Sequence, residues 1–563
     1  MKLKTLYKKT GIIVIILTMI MSSVFFLGFK DNNFEISKNL DIYFTLFKEL
    51  NLYYVDETDP GDLIKTSIDA MLKSLDPYTS YIPESKMEDF RFMTTGQYGG
   101  IGALIRKSKE YVIISEPYEK FPAFKAGLKA GDIILEIDGV SAKNKSTSDI
   151  SELLKGQPKT SVKLLIKRYN EKKPIEKTLT REQIKIDNVP YYGMMNDEIG
   201  YIRLSNFTSK AAHEVKKALI DITENQKAKS IILDLRGNPG GLLIESVNIT
   251  NLFVPKGQEI VSTKGKVKQW DKTYKAMFDP IDTKIPVVIL VNQGSASASE
   301  IVSGAIQDLD RGVIIGKRTF GKGLVQTTRQ LSYNSKLKIT TAKYYIPSGR
   351  CIQALDYSHR NEDGSVGKVP DSLISEYYTK NKRKVYDGGG IIPDIITENE
   401  YLSKIAISLV TKNHIFDYAT KYAYEHDTII SPKQFKLSEN EYNNFILFLS
   451  DKDYDYKSKS EETLKELEKT AKKEKYYTQV EDEFKILSEK LEHDKNKDLI
   501  TFKDEIIDLL SEEIVSRYYY QKGRIEYVLQ YDKDIKKAIE VLNDNEEYYT
   551  ILNGKVDDKS KSD

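Results

Sequence analysis

Only one cysteine, Cys351, occurs among 563 residues, so no disulfide can close within the chain and no cysteine cage can hold a metal. Histidine is scarce as well. His213, His359, His414, His426 and His493 show neither an HExxH pattern nor a paired spacing, so no metal site is expected. An excess of one charge sign is also missing: 85 basic against 83 acidic residues leave a formal net charge of +2, which argues against nucleic acid as a partner. Tryptophan occurs once beside 37 tyrosines, a bias with no mechanistic reading. The long uncharged apolar run, Gly11 to Phe29, is about long enough to cross a bilayer and follows Lys2, Lys4, Lys8 and Lys9. Those lysines should stay on the cytoplasmic side and send the rest of the chain outward, to the periplasm or the cell surface. No small-x-small cleavage site follows the run, which favours an uncleaved membrane anchor over a removed signal peptide.

What is present points to a multidomain α/β protein. The length exceeds one hydrophobic core, so two to four domains are expected. Past an anchor at 1–30, residues 31–94 read as helical: Ile42, Leu46 and Leu50, then Leu63, Ile64, Ile68, Met71, Leu72 and Leu75, recur at three and four, and Asp76-Pro77 closes the stretch. Residues 95–188 switch to short strands punctuated by glycine, with Val162, Leu164 and Ile166 alternating as one buried face. Residues 189–400 alternate strands with amphipathic helices, the pattern of a layered α/β core. Ser230–Leu235 and Pro286–Val291 are its buried strands. From 401 to 563 the chain is charge-dense and helical, with Ile506, Leu509, Leu510 and Ile514, then Ile535, Ala538, Ile539 and Leu542, as apolar stripes. Such stripes among charges read as wet helix faces, with a partner or a second copy of the chain as the alternative.

Four segments carry candidate chemistry. In the first, Tyr98, Gly99, Gly100, Ile101 and Gly102 open a strand, and successive glycines let backbone N–H groups converge into a nest for a carboxylate. A strand edge beside it, with a helix near Ile150–Leu154 as the far wall, would take an extended peptide. In the second, the strand ending Leu233-Asp234-Leu235-Arg236 runs into Gly237-Asn238-Pro239-Gly240-Gly241, either an ordinary turn or one whose N–H groups stabilise an oxyanion. The third, Ser295-Ala296-Ser297-Ala298-Ser299-Glu300, begins a helix. Ser297 and Glu300 fit a capping box, while a serine at a helix N-terminus also has nearby N–H groups for developing negative charge. The fourth, Gly316 to Lys322, imitates a phosphate-binding loop but has Gly323 where a Ser or Thr should follow the lysine. Lys322 serves as a base only where desolvation favours its neutral form, and Gln326, on the same face of an extended strand, would orient the amine. A serine–histidine pair using His213 or His359, and a non-catalytic peptide-binding adaptor, are the competing readings.

The ordered set, with Tyr345-Ile346-Pro347-Ser348-Gly349-Arg350 and Gly390-Ile391-Ile392-Pro393-Asp394, resembles the carboxy-terminal processing (tail-specific) proteases, peptidase family S41, over about residues 40 to 400. The resemblance implies a ClpP/crotonase-like catalytic core with an inserted PDZ domain that captures the C-terminal tails of protein substrates, and no cofactor. It implies Ser297 as nucleophile, Lys322 as general base, Gln326 as the residue orienting the lysine, and oxyanion donors at Ala298 and at Gly240 or Gly241. It implies peptide binding at the segment from Tyr98 to Gly102. Lys155 departs from the pattern, since many members carry an arginine near the end of the groove helix and a lysine lacks its bidentate fork.

Overall fold

The computed structural model describes residues 32–554 except 362, 399–400, 457–458 and 492–494. The expected anchor, Gly11 to Phe29, therefore lies outside the described residues. Among the described residues no helix is long and apolar enough to cross a membrane. The chain divides into a unit ending at Tyr81 and a unit beginning at Ile82.

The first unit holds the helices Asn32–Tyr53 and Pro60–Lys73. Asp59 starts the second by accepting the Asp62 N–H at 2.9 Å, with Pro60 in the first turn, where its missing N–H is no loss. Asp76 ends the unit's helical part by accepting the Tyr78 and Thr79 N–H groups at 2.8 Å each. The stripe Ile42, Leu46 and Leu50 is present but 54%, 54% and 41% exposed.

The second unit begins with the helix Met87–Thr95, which the sequence grouped with the N-terminal helices. A β-rich module follows, with the strands Ala103–Ser108, Tyr111–Pro117, Ile133–Ile137, Ser161–Lys167 and Ile175–Thr180 paired antiparallel in that order. Val162, Leu164 and Ile166 all point into its core beside Ile150 and Leu154 of the helix Thr147–Leu154. One-face burial produces that alternation.

The α/β core is built on a six-stranded sheet: Tyr191–Met194, Ile199–Arg203, Ser230–Asp234, Val287–Val291, Val313–Gly316 and Ile395–Ile396. The first pair is antiparallel and the rest parallel. Parity along the strands separates two faces. Ile231, Leu233, Val287, Ile289 and Val291 pack with the helices Ala211–Ile220, Leu243–Asn251 and Ala298–Asp308. Ile232, Val288, Leu290, Val313 and Ile315 pack instead with Ile535, Ala538, Leu542, Tyr548 and Ile551, from the helices Lys533–Asn543 and Asn545–Leu552. The end of the expected 401–563 extension thus forms the second helical layer of the six-stranded sheet. A parallel sheet has to bury both faces, and residues 189–400 supply helices for one. The remaining C-terminal helices have their own core, in which Ile506, Leu510 and Ile514 are fully buried.

Candidate active site

Ser230–Asp234 and Val287–Val291 are parallel neighbours, so both release the chain at the same edge of the sheet, where open α/β sheets place their ligands. Side chains lock the two turns together. Asn292 Oδ1 accepts the N–H groups of Gly237 at 2.9 Å and Gly294 at 3.0 Å. Ser295 Oγ donates to the Leu235 carbonyl at 2.8 Å, and Ser299 Oγ donates to the Asn238 carbonyl at 2.9 Å. Both hydroxyls are buried and committed to structure. Of the three serines, only Ser297 lines the cleft beside the turns, a cavity of about 480 Å³. Its backbone sits at φ 54° and ψ −111°, a conformation that a non-glycine residue adopts only under constraint.

The constraint comes from Glu300, whose side chain is fully buried. Its Oε2 accepts the Ser297 N–H at 2.8 Å and the Lys322 N–H at 2.9 Å. Its Oε1 accepts the Gly321 N–H at 2.7 Å and the Thr319 hydroxyl at 2.6 Å. Burial pushes this carboxyl above its ordinary range, against the pull of the four donors. Of the capping box expected of Ser297 and Glu300, the glutamate half is made, while the Ser297 side chain makes no cap hydrogen bond and the Glu300 N–H turns to the Ser297 carbonyl at 2.9 Å. The same glutamate also joins the serine turn to the lysine loop, a role that reading it as a helix cap missed. Lys322 lines the same cleft as Ser297. The phosphate-loop alternative fails here, because the Gly321 and Lys322 N–H groups that would cradle a phosphate are taken by a carboxylate.

Gly240 lies directly against the serine turn. A Cβ there would stand 2.6 Å from the Ala296 oxygen and 2.8 Å from the Ala298 nitrogen, so only glycine fits, at φ 96°. Its own N–H is spent on Asn238 Oδ1 at 2.9 Å. Among the described residues, the N–H groups of Gly241 and Ala298 meet no protein acceptor. Apolar side chains line the cleft as well, among them Phe90, Phe92 and Met93 from Met87–Thr95 and Leu324 and Val325 from the strand Leu324–Gln330. Gln326 lines the cleft too, its Nε2 donating to the Thr340 hydroxyl at 3.1 Å. Tyr344 donates its hydroxyl to the Ser297 carbonyl at 3.2 Å, and burial keeps that phenol well above its ordinary range. Neither His213 nor His359 lines the cleft, and the His359 side chain is 86% exposed.

In the β-rich module, Tyr98, Gly99 and Gly100 lie in the strand Gln97–Gly100, which pairs antiparallel with Glu182–Lys185. Ile101 is buried, and Gly102, at φ 71°, opens the edge strand Ala103–Ser108. Lys155, at the end of the helix Thr147–Leu154, bonds Asp89 at 2.8 Å on the helix that walls the cleft. An arginine does reach that helix end, from another part of the chain. Arg181 donates to the Leu153 carbonyl at 2.8 Å and to the Leu154 carbonyl at 3.1 Å.

Residues 198–359 match peptidase family S41, residues 113–168 match the PDZ domain, and residues 405–542 match a family described as the C-terminal helical domain of a probable PDZ-protease. A carboxy-terminal-processing protease of Bartonella bacilliformis is 37% identical over 353 residues, 62% of this chain and 78% of that one. A probable CtpA-like serine protease of Staphylococcus haemolyticus is 38% identical over 326 residues, 57% of this chain and 64% of that one. Among solved structures, the photosystem II D1 C-terminal processing protease is 27% identical with a TM-score of 0.34, covering 64% of this chain and 93% of that one. The PDZ domain of a carboxy-terminal protease from Vibrio cholerae is 28% identical with a TM-score of 0.15, covering 16% of this chain and 99% of that one. With more than a third of its aligned residues shared across most of a carboxy-terminal-processing protease, the chain belongs to peptidase family S41, the PDZ-containing carboxy-terminal-processing proteases.

Proposed function

We propose that the chain is a serine endopeptidase in which Ser297 attacks the scissile carbonyl and Lys322 is the general base. The observation that carries this reading is the single Glu300 oxygen bonded to the backbone N–H groups of both residues, at the edge of a cleft that both line. A neutral Lys322 amine takes the Ser297 proton as the alkoxide adds to the carbonyl, and the ammonium then gives that proton to the leaving amine. Water repeats the sequence on the acyl-enzyme. The Ala298 and Gly241 N–H groups receive the oxyanion, since the Gly240 N–H already serves Asn238. Gln326 commits its donor to Thr340 and keeps its carbonyl oxygen to orient the amine. The test is Ser297→Ala in the full chain. Turnover of an unstructured peptide should fall to background while the fold is kept, and residual turnover near that of the parent would end the assignment.

The PDZ module is read as the site that holds a substrate's C-terminal carboxylate, with the Ala103–Ser108 edge taking the tail as an added strand. Amidating a substrate's C-terminus should slow its cleavage at low concentration; equal rates for acid and amide would remove this role. The working place proposed is the outer side of a membrane, on the argument of the basic residues before Gly11 to Phe29. Protease added to intact cells or spheroplasts should then degrade the catalytic part, and full protection of that part would refute the location.

A further inference from the structure

We infer that Asp532 and Asp534, at the start of a helix in the C-terminal region, are positioning residues for the oxyanion turn and act on it through Arg236. Arg236 stands two residues after Asp234, the last residue of its strand, and four residues before Gly240. One edge of its guanidinium is spent on the buried Asp234: Nε donates to Oδ1 at 3.0 Å and Nη2 to Oδ2 at 2.7 Å. Its backbone N–H donates to the same Oδ1 at 2.9 Å, which folds residues 234–236 into a tight hook. The remaining nitrogen, Nη1, donates to Asp532 at 3.0 Å and to Asp534 at 2.9 Å. Both acids lie almost 300 residues further along the chain, outside the segment matched by the S41 family.

Charge explains why the second edge matters. Asp234 already accepts from the Tyr201 hydroxyl at 2.8 Å and from Arg203 at 3.2 Å, so two arginines share one buried carboxylate. Asp532 and Asp534 supply the compensating charge, and only 12% of the Arg236 side chain is exposed to draw that charge from water. A guanidinium held at both edges keeps one rotamer, and the turn that begins at its own Cα keeps one path to Gly241. Docking the helix Lys533–Asn543 does not need these acids, because Ile535, Ala538 and Leu542 already bury their side chains against the sheet.

The kinetic arm of the test rests on the peptidase reading above; the exchange arm does not, so the two can fail separately. Asp532 also caps its helix by accepting the Ile535 N–H at 3.1 Å, and asparagine keeps that cap while removing the charge. The full-length Asp532→Asn/Asp534→Asn variant should therefore keep its helix and fold, with a lower Tm from the uncompensated Arg236 charge, and it is compared with the parent well below both Tm values. Its kcat should fall about 10- to 100-fold with KM within about twofold, as expected for a displaced transition-state donor. Returning one carboxylate, as Asp532→Asn/Asp534→Glu, should recover part of that kcat. Independently of turnover, amide hydrogen exchange in a peptide covering 235–242 should speed up, with exchange in 287–291 unchanged. A folded double variant with parental kcat and parental exchange at 235–242 would overturn the inference. So would faster exchange spread over the whole sheet, because the acids would then be a docking contact.

Discussion

Replacing Lys322 by alanine is expected to lower kcat by about 10⁴-fold, and the Ser297→Ala/Lys322→Ala double variant is expected to be no slower than the worse single variant. In the proposed mechanism the two side chains act in one step. Without the amine the hydroxyl keeps its proton, and without the hydroxyl the amine has no proton to take. Either loss leaves only what the cleft and the oxyanion donors contribute. Lys322→Arg should not rescue, although it keeps the charge and much of the length, because a guanidinium stays protonated and cannot accept a proton. Steady-state kinetics on one peptide substrate, with active-site titration of the parent, checks all three. Additive losses would mean that Ser297 and Lys322 serve separate steps, and a Lys322→Arg variant near parental rate would reduce the lysine to an electrostatic contact.

Much of this site is written locally in the chain. Ser297 can be found because three small hydroxyl residues follow a buried strand and open a helix, and the alternation of Val162, Leu164 and Ile166 shows a half-buried strand without any partner in view. What a local reading misses are the long-range recipients. Glu300 reads as the third residue of a capping box, and nothing in its neighbourhood shows that its oxygens also bond Thr319, Gly321 and Lys322. Which glycine N–H is left for a ligand depends on Asn238, whose side-chain oxygen takes up that of Gly240. The C-terminal helices left a usable trace. Ser230–Asp234 and Val287–Val291 are buried at every position, which requires a layer on each face. The helices nearest in sequence all gather on one of them, so the second layer had to come from elsewhere in the chain.

The second large effect is expected at Glu300. Its two oxygens receive four donors from two separate loops, and no donor–acceptor swap can serve them all. Glutamine in its place turns one oxygen into an NH₂ group, which then faces either the amides of Ser297 and Lys322 or the amide of Gly321. Flipping the amide only moves the conflict. Each buried N–H left unsatisfied costs about 1–3 kcal/mol, so Glu300→Ala, which strands all four donors, should lose about 4 kcal/mol or more. That corresponds to a fall in Tm of roughly 10 °C. Activity should suffer beyond stability. The carboxylate is what holds the serine at its strained φ and ties it to the lysine loop, so kcat of Glu300→Gln should drop about 10²-fold even when assayed far below its own Tm. The assay temperature separates the two effects: a helix cap alone would give a variant that is less stable but, while folded, fully active. A Glu300→Gln protein with parental kcat at low temperature would show that the serine and lysine loops hold their registry without the shared carboxylate.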